Sequence, residues 1–333
     1  MSATIESDEN SHYPVLLNEV LSIISPQNGG TFIDCTLGQG GYTEKILEFP
    51  ETKVIAFDRD SDSKSVAIKL KKKFKNRFEF HNRKFSDIGS IILPNKISGI
   101  IFDLGFSYNQ IKNESKGLSF NHKGKLNMKM GHNKISAHEI VNTLPAKDLE
   151  QIFKYLGNDK NAKLISKKII KKRNINKIST EDLVNIINSS KKNFTKKNKS
   201  TKIFQALRIF VNKEITELIN GLINAYNILP IGGLIAVVTF HSIEDKIVKF
   251  FFKEYSEIKN SSRYLPKSDL VKKYFDLIKK KPIIPSSNEL KINPPSRSAK
   301  LRFAFKLENG CDFKKFVNNF NYLKDIENLK IDV

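Results

Sequence analysis

The first hundred residues alternate short apolar runs with helical stretches, and this alternation constrains the fold more than any other feature of the chain. Four runs have the length and composition of buried strands, namely Thr31–Leu37, Lys53–Asp60, Phe78–Asn82 and Ile97–Gly105. Helical stretches over Tyr42–Phe49 and Asp62–Phe74 separate the first three runs. Strands that alternate with helices form a parallel sheet whose faces the helices cover. The sequence therefore predicts an α/β, Rossmann-like fold with a mostly parallel sheet.

The alternation stops after residue 108. Residues 109–200 contain polar segments and amphipathic helical patterns without a convincing strand, and a long helix is predicted over Ile203–Leu229. The apolar run Gly233–Phe240 has the composition of a buried strand, and Lys300–Glu308 alternates as a final strand does. We therefore predict a discontinuous sheet domain over residues 1–108 and 201–315, an inserted all-helical domain over 109–200, and a C-terminal tail over 316–333.

The net charge points to an anionic partner. The 333 residues include 57 Lys and Arg against 35 Asp and Glu, a formal net charge of +22. Between Lys160 and Lys202 there are 14 basic residues and two acidic ones, so more than half of the excess lies there. Basic residues that neutralise phosphates release counterions, which favours nucleic acid. Because lysine outnumbers arginine 49 to 8, a compositional bias with solvated, lysine-rich helix faces is the alternative explanation.

Several function classes are disfavoured by composition. The two cysteines, Cys35 and Cys311, form no CxxC pair, and the chain has six histidines, so the sequence predicts neither a disulfide framework nor a metal site. No apolar run approaches the roughly 18 residues of a membrane span, and the first residues are polar and acidic. We expect a cytoplasmic protein that does not bind membranes.

A glycine-rich turn follows the first predicted strand and precedes a helix. Gly38, Gly40 and Gly41 leave backbone amides free and allow a ligand to approach closely, as in nucleotide sites. Thr43 stands where the dinucleotide fingerprint has its third glycine, which disfavours NAD. Asp58, 18 residues after Gly40 and at the end of the second strand, is placed to bind a ribose diol. S-adenosylmethionine, NAD, FAD and a turn without a ligand all remain compatible with this pattern.

Polar residues end four of the predicted strands. In an open parallel sheet the carboxyl ends of the strands border the ligand crevice, so Asp34, Asp58, Asp103 and His241 are expected to converge there. Each of them could instead cap the helix that follows it. Four such residues at one edge favour a site over four independent caps.

Ordered blocks along nearly the whole chain resemble the RsmH (MraW) family. These blocks include HYPVLLNEVL, GTFIDCTLGQGGYTEKIL, AFDRD, DLGFSYNQ, AHEIVNTL, TKIFQALRIFVNKE, TFHSIEDKIVKFFF and NPPSRSAKLR. The resemblance implies a class I methyltransferase fold with an inserted helical domain and S-adenosyl-L-methionine as cofactor. It also implies methylation of N4 of a cytidine in the decoding centre (P site) of 16S rRNA in the small ribosomal subunit. No stable protein partner is implied, and a homodimer stays open.

The resemblance carries functional residues onto this sequence by position. The family's cofactor contacts fall on Gly40, Gly41, Tyr42, Asp58, Phe85, Asp103 and Gln110. The implied reaction needs an acceptor for the protons of the target amine, for which we select Asp103 first and His241 second. His241 could instead donate a hydrogen bond that orients the base, or form a purely structural one. A base taken out of its stack needs apolar or aromatic surfaces, and the expected substrate contacts are Phe106, Ser107 and Tyr108, with Arg208 and Arg297 on phosphates. Phe240 is a further candidate surface for the base, and packing is the alternative role for both Phe240 and Arg208.

The chain departs from the family pattern at three places. The family has His at Tyr42, two small residues at Tyr108 and Asn109, and D-M-R-M-D where this chain has Asn127–Gly131. The last change removes two carboxylates and an arginine near the expected RNA entrance. Three rival functions remain at this point: a nicotinamide-dependent oxidoreductase, an RNA-binding ribosome-assembly factor with a vestigial pocket, and a methyltransferase that acts on DNA or another RNA.

Overall fold

The computed structural model describes residues 14–91, 96–106, 110–111, 113–120, 124–131, 133–191, 198–257 and 272–331. The chain divides into two compact units. The sheet unit comprises residues 1–107 and 225–311, and the helical unit comprises 108–224 and 312–333. The predicted boundaries therefore differ from the observed ones: the helical unit extends to 224 instead of ending at 200, and the C-terminal residues belong to it instead of forming a separate tail.

Helices and strands alternate in the first part of the chain, and a run of helices follows. The first elements are α1 (Leu17–Ile24), β1 (Gly30–Asp34), α2 (Gly41–Leu47), β2 (Thr52–Phe57), α3 (Lys64–Phe74), β3 (Phe78–His81) and β4 (Ile97–Asp103). Next come α4 (Ala137–Thr143), α5 (Ala146–Gln151), α6 (Ala162–Arg173), α7 (Thr180–Ser190), α8 (Thr201–Asn212) and α9 (Glu214–Ile228). The last are β5 (Leu234–Thr239), α10 (Ser242–Ser256), β6 (Phe275–Asp276), α11 (Ser287–Ile292), β7 (Lys300–Lys306) and α12 (Lys314–Glu327). Within the described ranges, no helix is both long and apolar enough to cross a membrane.

In the described part of the chain, seven strands form one sheet in the order β3-β2-β1-β4-β5-β7-β6. The pairs from β3 to β5 are parallel, whereas β7 runs antiparallel to both β5 and β6. This order, with its one reversed strand between β5 and β6, confirms the predicted class I methyltransferase fold. The six predicted strands are present. The two-residue strand β6 was not predicted, because it is too short to show a period.

The core of the sheet unit lies between the central strands and the helices that cover them. All six residues of β5 are buried, as expected for a central strand covered on both faces. Phe32, Ile101 and Ala236, from three neighbouring strands, belong to one buried cluster with residues of α1, α2 and α3. This packing fixes the strand ends from which the candidate site is built.

The last helix of the chain, α12, packs against earlier segments of the helical unit. Helix α5 continues as a π-helix over Ile152–Leu156, α8 packs on this segment, and α12 packs on both. Helices α4 and α7 begin with capping boxes, in which Ser136 pairs with Glu139 and Ser179 with Asp182. Because α8 and α12 bury their apolar faces within this unit, the unit includes residues beyond the predicted insertion.

The predicted helix over Ile203–Leu229 is two helices. Lys213 takes a left-handed conformation (φ 50°) and separates α8 from α9. Beside it, the buried Asn212 side chain accepts a hydrogen bond from Met130 N–H (2.9 Å) and donates one to the Met128 carbonyl (2.8 Å). These tertiary bonds hold the break in place, and the local sequence does not reveal them.

A buried carboxylate of α12 caps the first turn of α9. Glu327 accepts hydrogen bonds from Ile215 N–H (2.8 Å), Thr216 N–H (2.9 Å) and the Thr216 hydroxyl (2.7 Å). Burial nevertheless raises the pKa of Glu327 from 4.5 to about 7. A carboxyl whose pKa is raised on folding stabilises the folded state most below its unfolded pKa, and this contribution is lost as the pH rises through the folded pKa.

We therefore expect the free energy of unfolding to respond to pH through Glu327. Between pH 4.5 and about pH 7, the wild type should lose up to about 3 kcal/mol relative to Glu327→Gln, which cannot ionise. Urea denaturation of both proteins at several pH values measures this difference. Parallel stability curves for the two proteins would contradict the assignment of the ionisation to Glu327.

Candidate active site at the carboxyl edge of the sheet

Asp34 at the end of β1 organises the glycine-rich turn. Its Oδ1 accepts a hydrogen bond from Thr36 N–H (3.0 Å), and its Oδ2 accepts one from the Thr43 hydroxyl (2.7 Å). The carboxyl is fully buried, and burial raises its pKa. Thr43, which replaces the third glycine of the dinucleotide pattern, therefore connects α2 to the end of β1. Asp34 is an internal anchor of the turn.

The glycines of the turn are required by internal packing. Gly40 has φ 79°, and a Cβ there would lie 2.9 Å from Leu70 Cδ1 and 3.0 Å from Val66 Cγ1 of α3. A Cβ on Gly41 would overlap the Pro14 ring. The Gly40 N–H already donates to the Leu37 carbonyl (2.6 Å). The sequence predicted that these glycines allow a ligand to approach closely. At Gly40 and Gly41, side chains of the protein itself occupy the space in which a Cβ would lie.

Asp58 at the end of β2 is held by two backbone amides. Its Oδ2 accepts a hydrogen bond from Gly38 N–H (2.8 Å), and its Oδ1 accepts one from Asp60 N–H (2.8 Å). An ionised carboxylate has about four acceptor positions, so each oxygen keeps capacity for a further donor. Burial raises the pKa of Asp58 to about 6. The carboxylate is therefore fixed in direction and able to accept two more hydrogen bonds, as a ribose diol requires.

Asp103 at the end of β4 has an unused acceptor. Its N–H donates to the Thr36 hydroxyl (2.7 Å), which connects the ends of β4 and β1. Its side-chain Oδ1 is buried and has no hydrogen-bond partner among the described residues. Burial raises the pKa of Asp103 well above its usual range, and the nearby Asp34 and Glu244 carboxylates raise it further. A buried acceptor left without a donor costs about 1–3 kcal/mol, which marks it as a position that a ligand can satisfy.

His241 begins α10 as its N-cap. Its Nδ1 accepts from Glu244 N–H (3.4 Å), while Glu244 Oε2 accepts from the backbone N–H groups of Phe240 (2.8 Å) and His241 (3.2 Å). The His241 Nε2 lies 2.9 Å from Glu244 Oε1, although without the alignment of a hydrogen bond. The structure therefore uses this imidazole in a helix cap. Its predicted role as proton acceptor remains a prediction.

Two predicted cofactor contacts have aromatic side chains with different surroundings. The Tyr42 ring is buried, and its hydroxyl donates to the Val15 carbonyl, so it holds the segment that precedes α1. Burial raises the pKa of this hydroxyl well above its ordinary value, and the Asp103 carboxylate raises it further. Phe85 is half-buried and meets Phe102 edge-on, with ring centroids 5.3 Å apart. Phe85 thus presents a partly open ring near the end of β3, whereas the polar atom of Tyr42 is already used.

The other predicted residues do not all lie in the sheet unit. Phe106 is half-buried there, and Arg297 is exposed on the 3-10 helix Pro294–Ser298. Ser107 and Tyr108 lie outside the described residues. Gln110 and Arg208 belong to the helical unit.

Two residues for which packing was an alternative have structural contacts. The Arg208 guanidinium binds the Glu214 carboxylate in bidentate fashion, with Nε–Oε1 2.9 Å and Nη2–Oε2 2.8 Å. A phosphate would compete with that carboxylate for Arg208. Phe240 packs against the core cluster, and a Cβ on Gly105 (φ 130°) would lie 3.0 Å from its ring. The packing role is therefore observed for both side chains.

The altered run Asn127–Gly131 lies in the helical unit. Met128 and Met130 are buried there, and they are the two positions at which this chain keeps the family's residues. The changed positions Asn127, Lys129 and Gly131 are more exposed. The departures thus leave the packing of this segment intact and alter its surface.

Comparison with known proteins places the chain in a family. A family model described as the MraW methylase family matches residues 9–307. The chain belongs to this family. Ribosomal RNA small subunit methyltransferase H of Rickettsia akari is 39% identical over 304 residues, which cover 89% of this chain and 99% of that protein. The protein of the same name from Ehrlichia ruminantium (strain Welgevonden) is 40% identical over 304 residues, with the same two shares covered. The solved structure of an rRNA methylase from Streptococcus thermophilus aligns with a TM-score of 0.39 and 10% identity, covering 87% of this chain and 96% of that one. This similarity is too low to support the family assignment.

Membership of a methylase family with this sheet confirms S-adenosyl-L-methionine as the cofactor and removes the nicotinamide alternative. The residues present fit this cofactor. Asp58 has free acceptor capacity for ribose hydroxyls. Asp103 Oδ1, which has no partner among the described residues, lies at a strand end connected through Thr36 to the turn.

Sequence reasoning missed residues that hold the predicted ones in position. Thr36 and Glu244 were not selected, and Thr43 was treated only as a missing glycine. Glu244 could have been found, because a capping-box acid is expected three positions after an N-cap residue.

Proposed function

We propose that the protein is a 16S rRNA (cytosine-N4)-methyltransferase, which transfers a methyl group from S-adenosylmethionine to N4 of a cytidine in the decoding centre. Membership of the family and the names of the relatives support an RNA of the small ribosomal subunit as substrate. The observation that carries the assignment of the chemistry is the buried Oδ1 of Asp103, which has no hydrogen-bond partner in the part of the chain that the structure describes. It offers an acceptor without a donor, which is what an exocyclic amine needs.

The nucleophile sets the chemical problem. The N4 lone pair of cytosine is delocalised into the ring, so the amine attacks poorly while it stays planar. When bound, S-adenosylmethionine supplies an electrophilic methyl group on a sulfonium, whose C–S bond electrons leave with the sulfur. Asp103 Oδ1 would accept a hydrogen bond from N4–H and receive that proton as the new N–C bond forms. In its ionised form, a carboxylate with a raised pKa is a stronger base than an ordinary aspartate.

The remaining residues bind and orient. Asp58 would accept hydrogen bonds from the ribose hydroxyls of the cofactor with the lone pairs that Gly38 and Asp60 leave free. Phe85 would contact the adenine, because it is the half-buried aromatic residue that follows β3. The Gly40–Gly41 backbone and Gln110 remain proposed cofactor contacts. Phe106, with Ser107 and Tyr108, would receive the target base. Positioning of the two reactants supplies most of the rate in such a displacement.

The deciding experiment measures which nucleoside accepts the methyl group. Purified protein is incubated with radiolabelled S-adenosylmethionine and small subunits from a strain that lacks the modification, and the rRNA is digested to nucleosides. We expect label in N4-methylcytidine, and none with subunits that already carry the modification. Label in another nucleoside would contradict the proposed base specificity. Tight RNA binding without any incorporation would favour the assembly-factor alternative.

A further inference from the structure

The outer face of α6 carries a row of exposed lysines. Lys163, Lys167 and Lys171 are all exposed and follow one another at intervals of four residues. Four residues advance an α-helix by about 6 Å and about 40°, so the three side chains lie on one face within an arc of about 80°. We call these three residues the α6 lysine stripe. Lys160, exposed in the turn before the helix, continues the series.

The other faces of α6 are used within the helical unit. Its buried residues are Ala162, Ile165, Ser166 and Ile169. Lys168 donates to the Ser189 carbonyl (3.0 Å), Lys172 lies 3.5 Å from Asp182 Oδ1, and Arg173 donates to the Leu144 carbonyl (2.7 Å). These contacts hold the helix against α7 and the end of α4. The basic residues on this side therefore have structural partners.

The α6 lysine stripe has no such partners in the described part of the chain. None of its ammonium groups forms a hydrogen bond or ion pair with another residue of the described ranges. The sequence contains no Asp or Glu between Lys160 and Thr180 that could neutralise it. Three like charges kept side by side on a rigid helix repel one another. An anionic chain with regularly spaced charges relieves that repulsion.

We infer that the α6 lysine stripe binds the sugar–phosphate backbone of the RNA substrate. This inference rests on the proposed function for the identity of the RNA. The spacing of the lysines along α6 is of the same order as that between successive phosphates of an RNA strand, so one strand can pair with all three. The contacts are to phosphates, hence they position the RNA and do not read its sequence.

The test compares two triple variants that remove the same charge. In the stripe variant Lys163, Lys167 and Lys171 are replaced by Gln, and in the control Lys64, Lys69 and Lys72 of α3, also exposed, are replaced by Gln. Binding to a full-length 16S rRNA transcript is measured by fluorescence anisotropy at several KCl concentrations. For the stripe variant we expect the slope of log K against log [salt] to shrink by about 2–3. Its KM for RNA should rise about tenfold with kcat unchanged, and the control should match the wild type in both measurements.

Two results would overturn the inference. One is a stripe variant with the salt slope of the wild type, and the other is an equal loss in both variants, which would show an effect of net charge alone. Thermal unfolding of the variants monitors folding. Both variants should have the melting temperature of the wild type, because the replaced side chains are exposed. Methyl incorporation by the wild type is measured separately. If the wild type incorporates no methyl group, the proposed function is refuted. The binding measurements then still test whether the α6 lysine stripe binds the RNA backbone.

Discussion

Replacing Asp103 by Asn is expected to reduce kcat for methyl transfer by a factor of about 10²–10⁴, the usual contribution of a positioned acid or base. The amide keeps the size of the side chain, but it cannot receive the proton of the amine. Cofactor affinity should fall less than kcat, because the proton reaches Asp103 only during the transfer itself. Single-turnover transfer and calorimetric titration with S-adenosylmethionine measure the two effects separately.

The control for this substitution is Glu51→Gln, which neutralises an exposed carboxylate on the loop before β2. It should leave both transfer and cofactor affinity unchanged. If Asp103→Asn retains full turnover, the group that polarises the amine is not Asp103. If His241→Ala alone abolishes transfer while its melting temperature is maintained, the second candidate would take that role.

Replacing Asp58 by Ala is expected to weaken binding of S-adenosylmethionine by about 100-fold or more, since hydrogen bonds to a charged acceptor contribute about 1.5–3 kcal/mol each. The loss should appear with S-adenosylhomocysteine as well, because both cofactor forms carry the same ribose. Calorimetry with either compound provides the measurement. A change of less than threefold would exclude Asp58 from the ribose contact.

The pH dependence of cofactor binding gives a second test of Asp58. Its pKa is raised to about 6, and the ionised form is the better acceptor for two hydroxyl donors. Wild-type affinity should therefore fall as the pH decreases through about 6, whereas the affinity of Asp58→Asn should be low and nearly constant over that range. Equal pH profiles for the two proteins would show that another group titrates.

Much of the candidate site could be predicted because it follows from local patterns. The order of strands and helices places Asp34, Asp58 and Asp103 at the carboxyl ends of parallel strands, and periodicity alone reveals that order. The partners of these carboxyls could not be predicted in the same way. Whether an aspartate is an internal anchor, like Asp34, or has an unused oxygen, like Asp103, depends on hydrogen bonds that the fold creates.

The boundaries of the helical unit could not be predicted from local patterns either. The break at Lys213 depends on the bonds of Asn212 to a segment more than 80 residues earlier. The assignment of α12 to this unit depends on Glu327, whose partners Ile215 and Thr216 lie more than 110 residues before it. Contacts at such separations leave no periodic signal in a single sequence. The prediction of a separate tail over 316–333 therefore differs from the observed division, in which residues 312–333 group with the helical unit.

The capping of α9 by Glu327 affects how the protein is made. The chain is synthesised from its N-terminus, and domains generally fold as units while they emerge. The helical unit lacks its final helix until Lys314–Glu327 have been translated, because these residues form α12. Its native packing therefore cannot be completed from residues 108–224 alone. A premature stop codon before position 327 would leave the first amides of α9 without the carboxylate that accepts from them.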